Sequence, residues 1–103
     1  MRTQSAFQNG EYIVRVTGEI DHHSALAIRE EIDRELLEKN PERLILDLSE
    51  TEFMDSSGLG LILGRLRKCE EQHREMLVVN PRPQIQKILR LAGVEKMLDI
   101  RIL

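Results

Sequence analysis

The 103-residue sequence predicts one α/β domain: a mixed, mostly parallel β-sheet with an antiparallel N-terminal strand and helices mainly on one face. Three observations lead there. An Asn9-Gly10 pair between two strand-like segments marks a hairpin, because both residues tolerate the positive φ that a two-residue hairpin turn demands. After the hairpin, strand-like segments alternate with segments of helical period, and a strand that reaches the next one through a helix runs parallel to it in a right-handed crossover. Finally, the second and third strands alternate apolar with polar residues instead of being apolar throughout, so one sheet face is the one that needs covering.

The elements follow in order. Residues 4–8, QSAFQ, and 11–18, EYIVRVTG, form the hairpin, with Tyr12, Val14 and Val16 on an apolar face and Ile13, Arg15 and Thr17 on a mixed one. A short loop, EIDHH, comes next, and Ser24 is placed as the N-cap of a helix, its hydroxyl accepting an N–H left unpaired in the first turn. Ala25, Ile28, Ile32 and Leu36 mark the inner side of that helix to about Lys39, where Asn40-Pro41 stops it. Residues 43–48, RLILDL, form the third strand, with Leu44, Leu46 and Leu48 on one face. The loop SETEFMDSSG leads into a second helix from Ser57 to about Gln72, with Leu59, Ile62, Leu63, Leu66 and Cys69 inside and Arg65, Arg67, Lys68, Glu70 and Glu71 outside. Residues 75–79, EMLVV, form a fourth strand. Pro81 and Pro83 open a third helix that closes at Gly93 as a glycine C-cap would, and the terminal IRIL is a candidate last strand.

Composition excludes several function classes. The chain carries 15 basic against 18 acidic residues, a formal net charge of −3, so it lacks the basic footprint of a nucleic-acid binder. The start MRTQSAFQ does not read as a signal peptide and no apolar run is long enough to span a membrane, so a cytoplasmic location without membrane contact is expected. A single cysteine, Cys69, can form no internal disulfide, and its helical spacing from Ile62 and Leu66 reads as a small core residue. Without a heptad seam or an apolar surface stripe, the free protein is expected to be a monomer.

In alternating α/β folds, functional groups gather where strand ends meet helix starts. Two such places are legible here, EIDHH and SETEFMDSSG. If the strands before them are neighbours, Asp21 and His22 approach Asp55 and Ser56 and two loops make one site. Gly58, Gly60 and Gly64 follow a strand and enter a helix, but their spacing misses the dinucleotide fingerprint, and Arg65-Leu66 replaces the Lys-Ser/Thr of a phosphate-binding loop. Close approach of the helix to the sheet or to another protein explains Gly60 and Gly64 better. Asp21-His22-His23 has the look of a metal motif, yet no second ligand cluster accompanies it; neither cofactor nor metal is expected. A serine hydrolase would need its nucleophile on a G-x-S-x-G elbow, which Met54 breaks. Ser56 remains as a hydroxyl at a helix N-terminus, either an ordinary part of the cap or a modifiable group that a phosphate could occupy with the helix dipole's help.

GEIDHHSA at 18–25 and FMDSSGLGLILGR at 53–65 closely resemble the bacterial anti-sigma factor antagonists, whose fold is the STAS domain, and are most similar to the sporulation branch. The likeness spans nearly the whole chain, with a terminal helix common in that family expected to be absent or truncated after IRIL. The resemblance implies partner switching. The unphosphorylated protein would bind an anti-sigma factor that is also a serine kinase, and phosphorylation would release it. A metal-dependent serine phosphatase of the PP2C type would then reset it. By the same resemblance Ser56 is the phosphoacceptor, with Asp21, His22, His23, Asp55, Ser57, Gly58, Leu59 and Gly60 on the kinase-binding surface, and the protein is not an enzyme. Three other readings stay open: a ligand-sensing STAS module that takes a nucleotide or lipid through the same loops, a small hydrolase, and a scaffold subunit.

Overall fold

A computed structural model describes residues 3–103. The hairpin joins β1 (Thr3–Gln8) to β2 (Glu11–Val16), and Asn9 and Gly10 take positive φ of 51° and 78°, the geometry their sequence signals. The chain continues through β3 (Gly18–Ile20), α1 (His22–Lys39), β4 (Arg43–Asp47), β5 (Thr51–Met54), α2 (Ser56–Glu71), β6 (Glu75–Val79), α3 (Pro83–Leu91), a single 3-10 turn at Val94–Lys96 and β7 (Asp99–Arg101). Five strands form one sheet in the order β1-β2-β4-β6-β7, and β3 and β5 form a two-stranded sheet of their own. Only β1 and β2 pair antiparallel; every other pair is parallel.

Register explains the one-sided core. Tyr12 stands beside Leu44 and Val14 beside Leu46, and these in turn lie beside Met76 and Val78. All six are buried in one cluster with Ile28, Ile32 and Leu36 of α1, Leu61, Ile62 and Cys69 of α2, and Ile85 and Leu89 of α3. All three helices therefore pack on the same sheet face. Burial pushes the Cys69 thiol up from its ordinary pKa, as befits a structural cysteine. The opposite face carries a row of charge: Arg43 lies between Glu11 and Glu75 and bonds both, at 2.9 and 3.0 Å.

Three local expectations are corrected. Segments read as loops hold β3 and β5, because strands of three and four residues are too short to display a period of two. Asp21, not Ser24, is the N-cap of α1, and Ser24 sits at the third helical position. Ser24's hydroxyl accepts from the Asp21 N–H at 2.8 Å while Asp21 Oδ1 accepts from the Ser24 N–H at 3.0 Å, a reciprocal box with aspartate and serine in exchanged places. The inner stripe of α2 is Gly58, Leu61, Ile62, Arg65 and Cys69, with Leu59, Leu63 and Leu66 half-buried. That rotation brings Arg65 inward.

Asp47 ends β4 and turns the chain towards β5. Asp47 is 7% exposed, and its carboxylate accepts from the Ser49 N–H at 2.9 Å and from Arg15 Nε at 3.0 Å. Burial alone would raise its pKa, but the Ser49 and Arg15 hydrogen bonds outweigh it and hold the carboxyl below its ordinary value. A depressed native pKa gives stability that is present above the unfolded-state pKa and lost as pH falls through the native one. Wild type should accordingly lose stability from about pH 5 downward, and Asp47→Asn should be less stable at neutral pH with a shallower acid limb. Urea midpoints across the acid range check this, and parallel curves would contradict it.

Candidate functional site

The site is built where two chain crossings are stitched together. β2 and β4 are parallel neighbours, and past their ends the chain extends into β3 and β5, which pair again, Glu19 beside Phe53 and Ile20 beside Met54. Fully buried Thr51 donates its hydroxyl to the Val16 carbonyl at 2.8 Å. Gly18 N–H donates to Glu50 O at 3.0 Å and Asp55 N–H to Ile20 O at 3.3 Å. Parallel pairing means that both strands end together, so α1 and α2 start side by side, each capped by an aspartate, Asp21 and Asp55. The expected approach of the two segments to each other is what the backbone forms.

Asp55 accepts from the Ser57 N–H at 2.8 Å, and its carbonyl takes the Gly58 N–H at 3.0 Å. Asp55 is thus the N-cap and Ser56 the first helical residue. Ser56 is exposed, Ser57 and Leu59 are half-buried, Gly58 is buried and Gly60 is exposed. His22 and His23 are both exposed, with ring centroids 5.8 Å apart. Among the described residues no three His, Cys, Asp or Glu side chains converge as a metal site.

The glycines divide by role. A Cβ on Gly58 would lie 2.0 Å from Met54 Cγ and 3.3 Å from Ile20 Cγ2, so α2 can seat on β3 and β5 only with glycine there. Gly60 and Gly64 were expected to serve an approach to the sheet or to a partner; the sheet reading is wrong, since a Cβ on either would meet nothing within 4 Å. Both instead line a groove of about 370 Å³ between α1 and α2. Its walls include Ala25, Leu26 and Arg29 from α1, and Ser57, Leu61 and Arg65 from α2. Leu26 is 47% exposed there, and Phe53, on β5 beside the paired loops, is 50% exposed. Among the described residues no helix is long and apolar enough to cross a membrane.

Arg29, Leu26, Phe53 and Arg65 escaped the sequence reading. Arg65 falls four residues after Leu61 and four before Cys69 on the buried stripe; the expected stripe through Leu59, Leu63 and Leu66 was rotated away from it, and its charge argued for the outside. Its Nε lies 2.9 Å from Asp33 Oδ1 of α1. Desolvation lowers its pKa from the ordinary value and Asp33 pulls the other way, leaving a guanidinium that stays charged.

Residues 2–102 match the model of the STAS domain, and the chain belongs to that family. Among its relatives are anti-sigma factor antagonists, which are non-enzymatic regulatory proteins. An anti-sigma F factor antagonist of Paenibacillus polymyxa is 34% identical over 100 residues, 97% of this chain and 86% of that one. The solved anti-sigma factor antagonist SpoIIAA in its unphosphorylated form superposes with a TM-score of 0.76 at 28% identity, over 95% of this chain and 86% of that one. The Bacillus cell fate determinant SpoIIAA in the phosphorylated form gives the same TM-score at 29% identity, over 95% and 89%.

Gly58→Ala should destabilise the fold by about 1–3 kcal/mol, since its methyl must displace buried Met54. Gly60→Ala, in open space within a helix, should stabilise by about 0.5–1 kcal/mol. Chemical denaturation of both variants tests the assignment, and effects of the same sign would refute it.

Proposed function

We propose that this protein is a phosphorylation-switched antagonist of a sporulation-type anti-sigma factor. Unphosphorylated, it binds an anti-sigma factor that is a serine kinase, through the surface around the paired helix starts, and the sigma factor is released. The kinase then transfers the γ-phosphoryl group of ATP to Ser56 Oγ, ADP leaves, and the hydroxyl proton passes to a base of the kinase. The phosphoprotein dissociates, and a PP2C-type serine phosphatase restores the hydroxyl by hydrolysis. Asp21, His22, His23, Asp55, Ser57, Gly58, Leu59 and Gly60 take part in docking, Gly58 through the seating of α2 and the others through the surface around Ser56.

The observation that carries this reading is the placement of Ser56. It is an exposed hydroxyl on the first residue of a 16-residue helix, next to the capping Asp55 and beside the loop that holds Asp21. Ser57, half-buried and facing the inter-helix groove, is the poorer acceptor. A phosphate on Ser56 adds about −1.5 to −2 charge at neutral pH to a surface already acidic at Asp21 and Asp55. A partner that reads this surface with basic groups or close packing must feel it, while a helix N-terminus accommodates an anion without rearrangement. The similarity to one relative solved in both unphosphorylated and phosphorylated forms supports the same point.

Ser56→Ala should keep the affinity for the kinase and accept no phosphate, and Ser56→Asp should bind about tenfold more weakly or worse, a change of about 1.4 kcal/mol. Calorimetry against the host's anti-sigma factor kinase, with intact mass after incubation with ATP, measures both. Equal affinities of the two variants, or phosphate found on Ser57, would overturn the assignment. Backbone amide shifts on phosphorylation should stay within the two loops and the first turn of α2.

A further inference from the structure

The groove between α1 and α2 holds a charge that the switch at Ser56 does not use. Arg65 is only 6% exposed, and its side chain lines the groove. Its Nε lies 2.9 Å from Asp33 Oδ1 but is not aimed at it as a hydrogen bond, and among the described residues no group accepts from buried Nη1. Asp33's charge is shared, its other oxygen lying 3.7 Å from Lys68 Nζ. Arg29 of α1 lines the same groove, and no Asp or Glu does. A buried donor without an acceptor is destabilising, more so when charged, so an incoming acceptor gains from an arrangement already in place. Gly60 and Gly64 leave room for it, and Ala25, Leu26 and Leu61 supply apolar walls for its stem.

We propose that this groove is an anion subsite of the docking surface that receives a carboxylate side chain, Asp or Glu, of the protein partner, paired with Arg65 and Arg29. The proposal rests on the kinase-docking reading and adds to it the chemistry of the partner's contact. A partner's side chain is favoured over a free small anion for two reasons. The groove is open along its length and would bury too little of a small ligand to hold it. The adjoining surface, with Asp21 and Asp55 capping the helices and Glu19 and Glu52 exposed, repels a free anion, whereas a protein surface that is basic opposite the loops and acidic opposite the groove matches both. Such a two-signed pattern also fixes the orientation of docking.

The test is calorimetric titration of the host's anti-sigma factor kinase with wild type, Arg65→Gln, Arg29→Gln and Asp33→Asn, at low and physiological salt, with thermal unfolding of each variant. Arg65→Gln should weaken binding about tenfold or more, and Arg29→Gln several-fold with a reduced salt dependence. Asp33→Asn breaks the same contact between α1 and α2 but leaves the guanidinium free, so it should bind at least as tightly as wild type. Arg65→Gln within twofold of wild type would overturn the subsite and leave the switch standing. So would an Asp33→Asn loss equal to that of Arg65→Gln, which would make Arg65 a tie between helices only. Saturable binding of inorganic phosphate or glutarate that Arg65→Gln abolishes would give the groove to a small anion, and an Arg65-dependent dimer in sedimentation would give it to a second copy; either overturns the proposal. A wild type that binds no kinase, at any salt, overturns the switch and the subsite together.

Discussion

The pairing of β3 with β5 is the constraint on which the rest depends. Seven residues in two strands, one hydroxyl of Thr51 buried on the Val16 carbonyl and one bond from Asp55 N–H to Ile20 O bring two segments more than thirty positions apart into register. Because the pairing is parallel, both strands deliver their helices in the same direction, and two N-termini with two capping aspartates emerge as neighbours. An antiparallel pair would have sent them to opposite ends. The hydroxyl of Ser56, the Asp21 loop and the inter-helix groove share one surface for this reason.

Seating of α2 sets which residues occupy that surface. Gly58 fits against Met54 and Ile20 where any side chain would collide, and once that contact is fixed the helical period assigns every other position. Arg65, about two turns on, falls towards α1 and meets Asp33. Ser57, Gly60 and Gly64, at spacings of three and four, face the groove. Ser56, two residues before the seat, is turned out to solvent. The three glycines look alike in sequence, yet one is required by packing and two are permitted by open space.

The hairpin, both long helices and the parallel order were legible because each rests on a signal repeated over many residues: Asn9-Gly10 between alternating strands, and Ala25, Ile28, Ile32 and Leu36 along a single stripe. What escaped was decided by few residues or by chemistry that overrides habit. β3 and β5 are held by pairing to each other, information that neither segment carries alone. At the start of α1, aspartate and serine can each cap, and three positions separate the two solutions, so Ser24 was taken for what Asp21 does. Arg65 shares the period of Leu61 and Cys69, but the apolar Leu59, Leu63 and Leu66 drew the expected stripe to a neighbouring face and left a charged residue outside it. The juxtaposition of Asp21 with Asp55 followed from neighbouring parallel strands and could be anticipated; the groove could not, because it depends on the separation of two helices.

On the proposed switch, the charges around Ser56 give a phosphate there little leverage on the fold and more on a bound partner. A helix N-terminus stabilises a nearby anion by about 0.3–1 kcal/mol per charge. A carboxylate roughly 6 Å away opposes it by about 0.7 kcal/mol per unit charge in water. The helix end thus offsets part of the repulsion from Asp55 and Asp21, and the remainder is small against the packing that holds the paired helix starts. A partner's docked surface has no such offset. A surface docked there would exclude water, so the same charge would act on it through a lower dielectric and without the compensating dipole. The paired helix starts are therefore suited to carrying a charge that the fold tolerates and a bound partner does not.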